Sequence, residues 1–289
     1  MIKQTFFLIL FLFITQLGFA NGTHYQKSDF FATMQPGDKA ALLMVHFGTT
    51  HDDTRELTIN AINQKAQAMF PNLDMREAYT SRIIIHRLKQ RGMEKLTPLE
   101  MLKQLHKDGY THVIIQSSNI IDGIEMESLR QDVHEVEKDF KEIRIGKPLL
   151  YGKEDYEQVI DALIPSLPTE GAIVLVGHGT YTPIMAAYTM VDYMLKAKGY
   201  THAHVGTIEG YPAFADVEGR TRKDRDIGTL YVCSRRACQE RHSRRLEERF
   251  GSRRIYSNKK ISDKQKGMAQ IIRELAVSFT NVLHFLAQK

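Results

Sequence analysis

The sequence contains no tryptophan and only two cysteines in its 289 residues. Disulfide-stapled scaffolds and four-cysteine zinc modules need more cysteines, so both classes are excluded. After the first twenty residues there is no apolar run long enough to cross a bilayer, which excludes a multi-span membrane protein. With 43% hydrophobic and 25% charged residues, the chain can bury a core and is not a disordered tail. Its length allows one large domain or two of ordinary size.

The net charge of +5 is concentrated in one segment. Residues 221–260 contain thirteen Lys or Arg and five Asp or Glu, so the rest of the chain is slightly negative. A nucleic-acid-binding domain would spread its basic residues over a folded face, so we expect no nucleic-acid partner. An arm that contacts polyanions or anionic lipid is the alternative interpretation of this segment.

The N-terminus has the pattern of an export signal. Lys3 precedes the apolar run 6–14, and Gly18 and Ala20 are small residues where a signal peptidase cleaves. The run is shorter than the roughly 20 residues that a spanning helix needs. The sequence therefore predicts a signal peptide at residues 1–20, a polar lead-in at 21–38, a periplasmic mature protein and no stable membrane insertion after cleavage.

From residue 39 onwards, short apolar runs alternate with amphipathic stretches, which is typical of a parallel α/β fold. The predicted strands are 41–46, 75–79, 112–116, 172–176 and 203–206. The predicted helices are 53–68, 98–106, 126–140, 156–163 and 183–198, the second of them with Thr97 as its cap.

The chain also contains an internal duplication. Residues 42–49 resemble 172–180, because each is an apolar strand followed by Gly-Thr and a helix. We therefore predict two similar Rossmann-like or flavodoxin-like lobes with parallel sheets, at 39–148 and 149–289, of which 221–289 is atypical. Open α/β sheets bind ligands at the carboxyl ends of their strands, so we expect a cleft between the lobes.

His178 is the principal candidate for chemistry. It follows an apolar strand and lies between Gly177 and Gly179, which leave the ring unobstructed. An imidazole at the end of a core strand can bind a divalent metal or accept a proton near neutral pH. Glu209 ends the neighbouring predicted strand, so both side chains could reach one cleft. A solvated strand end is the alternative interpretation of Glu209.

Other candidates are less specific. Glu125 follows the strand 112–116, but the first turn of a helix favours an acidic residue in any case. Arg55 and Arg82 could pair with substrate carboxylates or could cover a solvated face. The remaining candidates for the cleft wall could equally cap helices or pack in the fold, and they are Thr49, Thr80, Ser81 and Tyr211.

Several segments together resemble the anaerobic sirohydrochlorin cobaltochelatases, a family of class II tetrapyrrole chelatases. They are residues 47–49, 53–56, 78–82, 177–180 and 205–212, within a resemblance that runs from about residue 39 to 219. The resemblance implies insertion of Co²⁺, with Ni²⁺ or Fe²⁺ as alternatives, into sirohydrochlorin or a related tetrapyrrole of a cobalamin-type pathway. It implies that His178 is base and metal ligand, Glu209 a second metal ligand and Glu125 an acidic cleft residue. We expect no organic cofactor, and a homo-oligomer is compatible with the sequence.

The sequence departs from that family in two places. Asn119 stands where the family has a histidine, and a neutral amide cannot take a proton. The family's second metal-binding histidine, expected in a late Val-Ala-Gly-Asp-His-Ala segment, is absent after Gly219. The chain instead has the basic stretch 230–245 with Cys233 and Cys238, whose spacing fits no standard zinc site. We therefore expect weakened or absent turnover.

A displaced reading frame accounts for the second departure. The codons of residues 232–245, read one nucleotide out of register, can spell Tyr-Val-Ala-Gly-Glu-His-Ala-Lys-Asn-Asp-Ile-Ala-Gly. The missing histidine would then straddle the codons of Ala237 and Cys238. Our hypothesis is a frameshift near residues 219–225. It would remove the last strand and helix of the second lobe and would risk an exposed apolar edge.

An interpretation from another class remains open at this point. A periplasmic protein that binds haem, another tetrapyrrole or a metal without catalysis would need an axial ligand. His46, Met44 and His178 are the side chains near the strand ends that could serve.

Overall fold

The structure, a computed structural model, describes residues 30–163, 173–213 and 215–217, together with the backbone of 230–233 and 255–256. The described part contains two parallel sheets of four strands each. The first sheet has the order β2-β1-β3-β4 and is formed by β1 (Ala40–His46), β2 (Asp74–Tyr79), β3 (His112–Ser117) and β4 (Glu142–Ile145). The second has the order β6-β5-β7-β8 and is formed by β5 (Ile173–Thr180), β6 (Ala203–Gly210), β7 (Leu230–Cys233) and β8 (Ile255–Tyr256).

The two sheets repeat one topology. In each, the first strand lies inside the sheet, the second pairs with one side of it and the third pairs with its other side. Each connection between these parallel strands crosses over through a helix or a long segment. The predicted fold class, two similar α/β lobes with parallel sheets, is confirmed.

Six helical segments accompany the sheets in the described residues. The first, α1, begins as Asp52–Arg55, widens into a π-helical stretch at Glu56–Asn60 and continues as Ala61–Met69. The others are α2 (Arg82–Lys89), α3 (Pro98–Lys107), α4 (Ile124–Val136), α5 (Lys153–Leu163) and α6 (Ala186–Ala197). Short 3₁₀ turns occur at Phe30–Thr33, Glu137–Asp139 and Pro183–Met185.

Strand β1 is buried on both faces. One face packs with residues of α3 and α4, among them Leu102 and Leu129, while the opposite face packs with Ala66 of α1 and with Phe30. A parallel sheet covered by helices on both faces is the arrangement that produces near-continuous apolar strands. This explains why the predictions of 41–46 and 112–116 were close to the observed bounds.

Three features differ from the sequence-based expectations. The pattern did not predict β4 or α2. Phe30 falls inside the predicted polar lead-in, yet it is only 1% exposed and its ring meets the His112 ring edge-on at 5.4 Å. The folded part of the first lobe therefore begins before residue 39.

The strands of the second lobe are also longer than predicted. Because β5 continues to Thr180 and β6 to Gly210, His178 and Glu209 lie within strand ends instead of beyond them. The written sequence also supplies β7 beside β5, with Val176 opposite Cys233. That edge is therefore paired, contrary to the expectation of a lost strand.

Candidate functional site

Two glycines bring the carboxyl ends of β5 and β6 together. A Cβ on Gly179 would lie 1.7 Å from the backbone oxygen of Glu209, and one on Gly210 would lie 2.0 Å from that of Thr180. Both glycines also have positive φ, at +84° and +83°, which L side chains rarely adopt. Only glycine permits this approach, and the approach places the neighbours of both glycines side by side.

His178 and Glu209 are those neighbours, and they form the centre of the candidate site. The distance between His178 Nδ1 and Glu209 Oε2 is 3.8 Å. The side chains are 35% and 47% exposed, so a ligand can reach both. An imidazole and a carboxylate together suit Co²⁺, Ni²⁺ or Fe²⁺ better than Mg²⁺. No group of three or more His, Cys, Asp or Glu side chains suited to a metal occurs within the described ranges.

Tyr188 of α6 contacts the backbone on both sides of His178, at Gly177 and at Gly179. Its ring occupies the space that a side chain at Gly177 would need, since a Cβ there would lie 2.4 Å from Tyr188 Cε1. The Gly179 N–H donates to the Tyr188 hydroxyl oxygen at 3.3 Å. Burial raises the pKa of Tyr188, and the nearby charge of Glu125 raises it further, so the hydroxyl stays neutral.

Contacts between the lobes bring Glu125 towards Tyr188. The loop after β3 is tied to the second lobe because Leu149 N–H donates to the Asn119 carbonyl at 3.0 Å. Ile121 of the same loop packs against the core of the second lobe. Glu125 follows in the first turn of α4. The first lobe therefore contributes an acidic side chain to the surroundings of Tyr188.

The pair of His178 and Glu209 has no counterpart at the matching positions of the first lobe. The two lobes can be aligned by their strand pairs. His46 lies opposite Tyr79 in the first sheet, and the equivalent pair in the second sheet is Gly177 opposite Thr207. Counting along both strands from these pairs, the positions of His178 and Glu209 are filled in the first lobe by Phe47 and Ser81. Neither a phenyl ring nor this hydroxyl offers the donors of an imidazole and a carboxylate, so the duplication is chemically asymmetric.

The first lobe instead buries a polar network at the end of β1. His46 Nε2 lies 2.9 Å from Asn63 Oδ1, and its Nδ1 lies 2.8 Å from Ser118 Oγ. Asn63 Nδ2 in turn donates to Glu77, which forms an ion pair with Lys95. Because the amide nitrogen of Asn63 is committed to Glu77, its oxygen accepts from His46 Nε2–H. Burial lowers the pKa of His46, so the ring is neutral.

Two of the three axial ligands considered for haem binding, His46 and Met44, are excluded by their burial. His46 is only 1% exposed and both of its ring nitrogens have hydrogen-bond partners. Met44 is fully buried in the core. Neither can reach a haem iron, so of the three candidate axial ligands only His178 remains.

The other predicted cleft residues differ in their surroundings. Thr49 is 3% exposed and its hydroxyl oxygen accepts the His51 N–H, which favours a role in the turn. Thr80 has a buried hydroxyl without a hydrogen-bond partner in the described part, and Ser81 is the residue before α2. Tyr211 is exposed at the end of β6.

Both arginine candidates lie on the first lobe. Arg55 forms an ion pair with Asp52 at 2.7 Å, and this partner accounts for its charge without a substrate. Arg82 begins α2 and is exposed. Asn119, at the position of the family's histidine, has a buried side-chain nitrogen that finds no acceptor in the described part of the chain.

Exposed apolar side chains surround the strand ends of both lobes. Ile120 and Ile124 follow β3, while Tyr181 and Tyr211 follow β5 and β6. Exposed large apolar groups at a candidate site indicate a surface that binds an apolar ligand. The sequence reasoning did not single out Ile120, Ile124 or Tyr181, because an exposed apolar residue carries no signal until the fold shows where it lies.

Three expectations fall on residues that the structure does not describe. They are the signal peptide at 1–20, the basic arm from residue 234 onwards with Cys238, and the third metal-binding position at 237–238. In the described residues, none of the helices has the length and apolar character needed to span a membrane.

The fold matches solved structures of a chelatase. SirB from Bacillus subtilis with Fe³⁺ superposes with a TM-score of 0.57 at 16% identity, covering 86% of this chain and 96% of SirB. The sirohydrochlorin chelatase SirB from Bacillus subtilis subspecies spizizenii, in complex with cobalt, gives 0.55 at 14% identity over the same shares of both chains. The fold is thus that of the class II tetrapyrrole chelatases.

Sequence comparisons define the family within that class. Residues 40–234 match the model of the family described as "Cobalt chelatase (CbiK)". The chain is 40% identical to the sirohydrochlorin cobaltochelatase of Salmonella typhimurium over 178 residues, which are 60% of this chain and 67% of that protein. It is 32% identical to the sirohydrochlorin cobaltochelatase CbiKC of Nitratidesulfovibrio vulgaris over 181 residues, 61% and 64% of the two chains. The alignments thus span about two thirds of these relatives.

The chain belongs to the cobalt chelatase (CbiK) family. The resemblance read from the motifs is confirmed at the level of family and fold. The match also ends at residue 234, immediately before the arginine-rich stretch that departs from the family pattern.

Proposed function

We propose that this protein inserts a divalent metal, Co²⁺, into sirohydrochlorin or a related tetrapyrrole. The observation that carries the proposal is the juxtaposition of His178 and Glu209 at the touching ends of β5 and β6 in a chain of the cobalt chelatase family. The metal and the macrocycle are both substrates. No organic cofactor is required for this reaction, because it exchanges a metal ion for two ring protons and transfers no electrons.

The pair can perform both parts of the reaction. The imidazole and the carboxylate hold the incoming ion, and the strand ends orient them through the Gly179–Gly210 approach. Two pyrrole N–H protons must leave the ring as the metal enters. A neutral His178 ring can accept one proton once the imidazole has released the ion, and water at this exposed site can take the second. Glu125, on the other lobe, adds negative charge that favours cation entry.

The exposed apolar side chains provide the face for the macrocycle. Ile124 at the start of α4 and Tyr181 in the loop after β5 are exposed, so a flat ring can cover them. Covering apolar area contributes about 25 cal/mol per Å² removed from water. Tyr211, exposed at the end of β6, is a further contact for the ring or its carboxylates.

Metal insertion by single-site variants tests the proposal. Because we expect weakened or absent turnover in the present chain, the variants are compared in a frame-corrected chain. There we expect His178→Ala to lower the rate of Co²⁺ insertion into sirohydrochlorin, followed by absorbance, by about 100-fold or more, as for loss of a positioned base. Glu209→Gln should weaken Co²⁺ binding because it removes a charged donor while keeping the shape of the side chain. His134→Ala is the matched control, since His134 is 81% exposed on α4. Equal rates for His178→Ala and its parent would reject the assignment.

The late segment of the chain calls for a second proposal. We propose that a frameshift near residues 219–225 replaced the family's late segment and its second histidine. Support comes from the alternative reading of the codons of residues 226–245 and from the absence of the family's late histidine segment after Gly219. Sequencing of the locus tests this, and absence of the family segment from the other frames refutes it. A frame-corrected chain should insert cobalt at a higher rate than the chain with the present sequence, because it regains a metal ligand.

We also propose that the protein is exported and acts in the periplasm, with cleavage after Ala20. The charged start, the apolar run 6–14 and the small residues before Asn21 support this. N-terminal sequencing of the protein recovered from a periplasmic fraction should begin at Asn21. Recovery of the uncleaved chain from the cytoplasm would contradict export. Sedimentation of the same sample would reveal a homo-oligomer.

A further inference from the structure

Tyr188 is the side chain that holds the backbone next to His178. It lies in the first turn of α6, and its ring packs against the core of the second lobe. The ring also fills the space beside Gly177, where a Cβ would come within 2.4 Å of it. The hydroxyl group at the end of this anchored ring accepts the N–H of Gly179 at 3.3 Å.

This hydrogen bond lies beyond the described pairing of β5 with β7. In the described residues, the register of β7 with β5 ends at the pair of Val176 and Cys233. The backbone of β5 continues to Thr180, and among the residues that the structure describes it pairs there with β6 only. A partly buried N–H without an acceptor would cost free energy, and the Tyr188 hydroxyl is the acceptor given to this N–H.

The bond controls the orientation of the candidate metal ligand. The N–H of Gly179 belongs to the peptide group that joins His178 to Gly179, so fixing this peptide fixes the direction in which the His178 side chain leaves the backbone. Glycines on both sides of His178 leave the segment otherwise permissive. Loss of one hydrogen bond can therefore rotate the imidazole relative to Glu209, which lies 3.8 Å away.

We propose that Tyr188 is a positioning residue that orients His178 towards Glu209 through the hydrogen bond from Gly179. The proposal rests on the proposed function, since it takes His178 and Glu209 as the metal-binding pair. Tyr188 is not itself a ligand in this proposal. It acts as an outer partner of the ligand, and in metal sites the loss of such partners weakens metal affinity by about 10–100-fold.

The test is Co²⁺ binding by the full chain carrying Tyr188→Phe. This substitution keeps the packed ring and removes only the oxygen that accepts the Gly179 N–H. We expect the Kd for Co²⁺, measured by titration, to rise by about tenfold. We also expect a change in the visible absorption bands of the bound Co²⁺, because they report the ligand arrangement. Thermal unfolding without metal, measured in parallel, separates a change at the site from a loss of fold.

A second helix residue and a second variant complete the experiment. Tyr193→Phe is the matched control, because Tyr193 is exposed on the same helix and should leave the Kd and the spectrum unchanged. Gly177→Ala displaces the Tyr188 ring from the strand side. If Tyr188 acts through this contact, Gly177→Ala in the Tyr188→Phe background should weaken Co²⁺ binding by less than it does alone.

The outcomes distinguish the two proposals. An unchanged Kd and spectrum for Tyr188→Phe, beside a large loss for His178→Ala, overturns the positioning role alone. An unchanged Kd for His178→Ala overturns the metal site itself. A lower unfolding temperature for Tyr188→Phe with an unchanged Kd and spectrum also overturns the positioning role, because the hydroxyl would then serve stability only.

Discussion

At the scale of single residues, glycine decides where the site can form. Gly179 and Gly210 let two strands approach so closely that any side chain at either position would overlap the backbone of the partner. A sequence pattern shows that these residues are glycines, but many glycines in this chain face open space. Gly199 has a similar φ of +93° and no atom near its missing Cβ. That a residue is glycine shows which backbone conformations it can adopt. Only its neighbours in the fold show whether glycine is required at that position.

This contrast yields a prediction. Gly179→Ala should abolish Co²⁺ binding and lower the free energy of unfolding by more than about 3 kcal/mol, because strain at positive φ adds to a backbone overlap. Gly199→Ala carries only the strain, and we expect a loss of about 1 kcal/mol with binding intact. Urea denaturation and Co²⁺ titration of both variants measure the difference. Similar losses for the two variants would contradict the close approach of β5 and β6.

His46 leads to a prediction about pH. Burial lowers the pKa of His46 from its ordinary 6.5, and the groups facing it are Glu77 and Lys95 with the neutral Asn63 and Ser118. Below pH 6.5 the His46 ring binds a proton in the unfolded chain but stays neutral in the folded protein. This contribution to stability is therefore complete above pH 6.5 and is lost as the pH falls below it.

The measurement is the free energy of unfolding in urea from about pH 7.5 to about pH 5.5. His46→Gln should have a smaller decrease over this range than the unmodified protein, because the variant no longer carries the titrating group. His134→Gln, with its exposed ring, should retain the full decrease. Identical slopes for His46→Gln and the unmodified protein would show that His46 is not the group responsible.

At the scale of elements, local sequence signals predict some helices and strands, while others depend on tertiary contacts. The start of α3 was readable from sequence, since Thr97 accepts the Glu100 N–H and the Glu100 carboxylate accepts the Thr97 N–H. The short strand β4 was not readable, because its four residues are only partly buried at a sheet edge. Helix α2 was also missed, as its eight residues contain a run of isoleucines that does not separate helix from strand.

The capping box of α3 can be tested directly. Hydrogen bonds from Thr97 lower the pKa of Glu100 below its ordinary 4.5, so their contribution to stability is present above that pH and lost as the pH falls below it. Thr97→Ala should lower the free energy of unfolding by about 1 kcal/mol at neutral pH. Thr97→Ser should retain most of it because the hydroxyl remains. Equal stability of the alanine and serine variants at neutral pH would contradict the role of the cap.

At the scale of the whole molecule, the contact between lobes creates the site's surroundings. Gln116 of β3 donates to the Lys147 carbonyl at 3.1 Å, and the Lys147 ammonium group contacts both oxygens of Asp155 on α5, at 2.7 and 2.9 Å. Asp155 is buried, so this ion pair is shielded from water. It joins the two lobes at a place where the chain passes from one to the other.

Removal of this bridge has a predictable cost. Lys147→Met should leave the buried Asp155 carboxylate without its cation and lower the free energy of unfolding by roughly 2 kcal/mol, since breaking a buried pair costs more than an exposed one contributes. Lys198→Met is the control, because its partner Asp161 is 61% exposed and its loss should cost under about 1 kcal/mol. Chemical denaturation compares them, and a smaller loss for Lys147→Met than for Lys198→Met would contradict the bridge.

The sequence by itself determined the class of fold, the duplication and the choice of His178 and Glu209, because apolar periodicity and family motifs are properties of the chain. Tertiary structure alone decided how closely these two side chains approach, that His46 and Met44 are closed to ligands, and that Tyr188 lies against the His178 segment. The reason is physical. Burial, register and the meeting of residues from different elements depend on distances in space, and those distances exist only after the strands have paired and the lobes have packed.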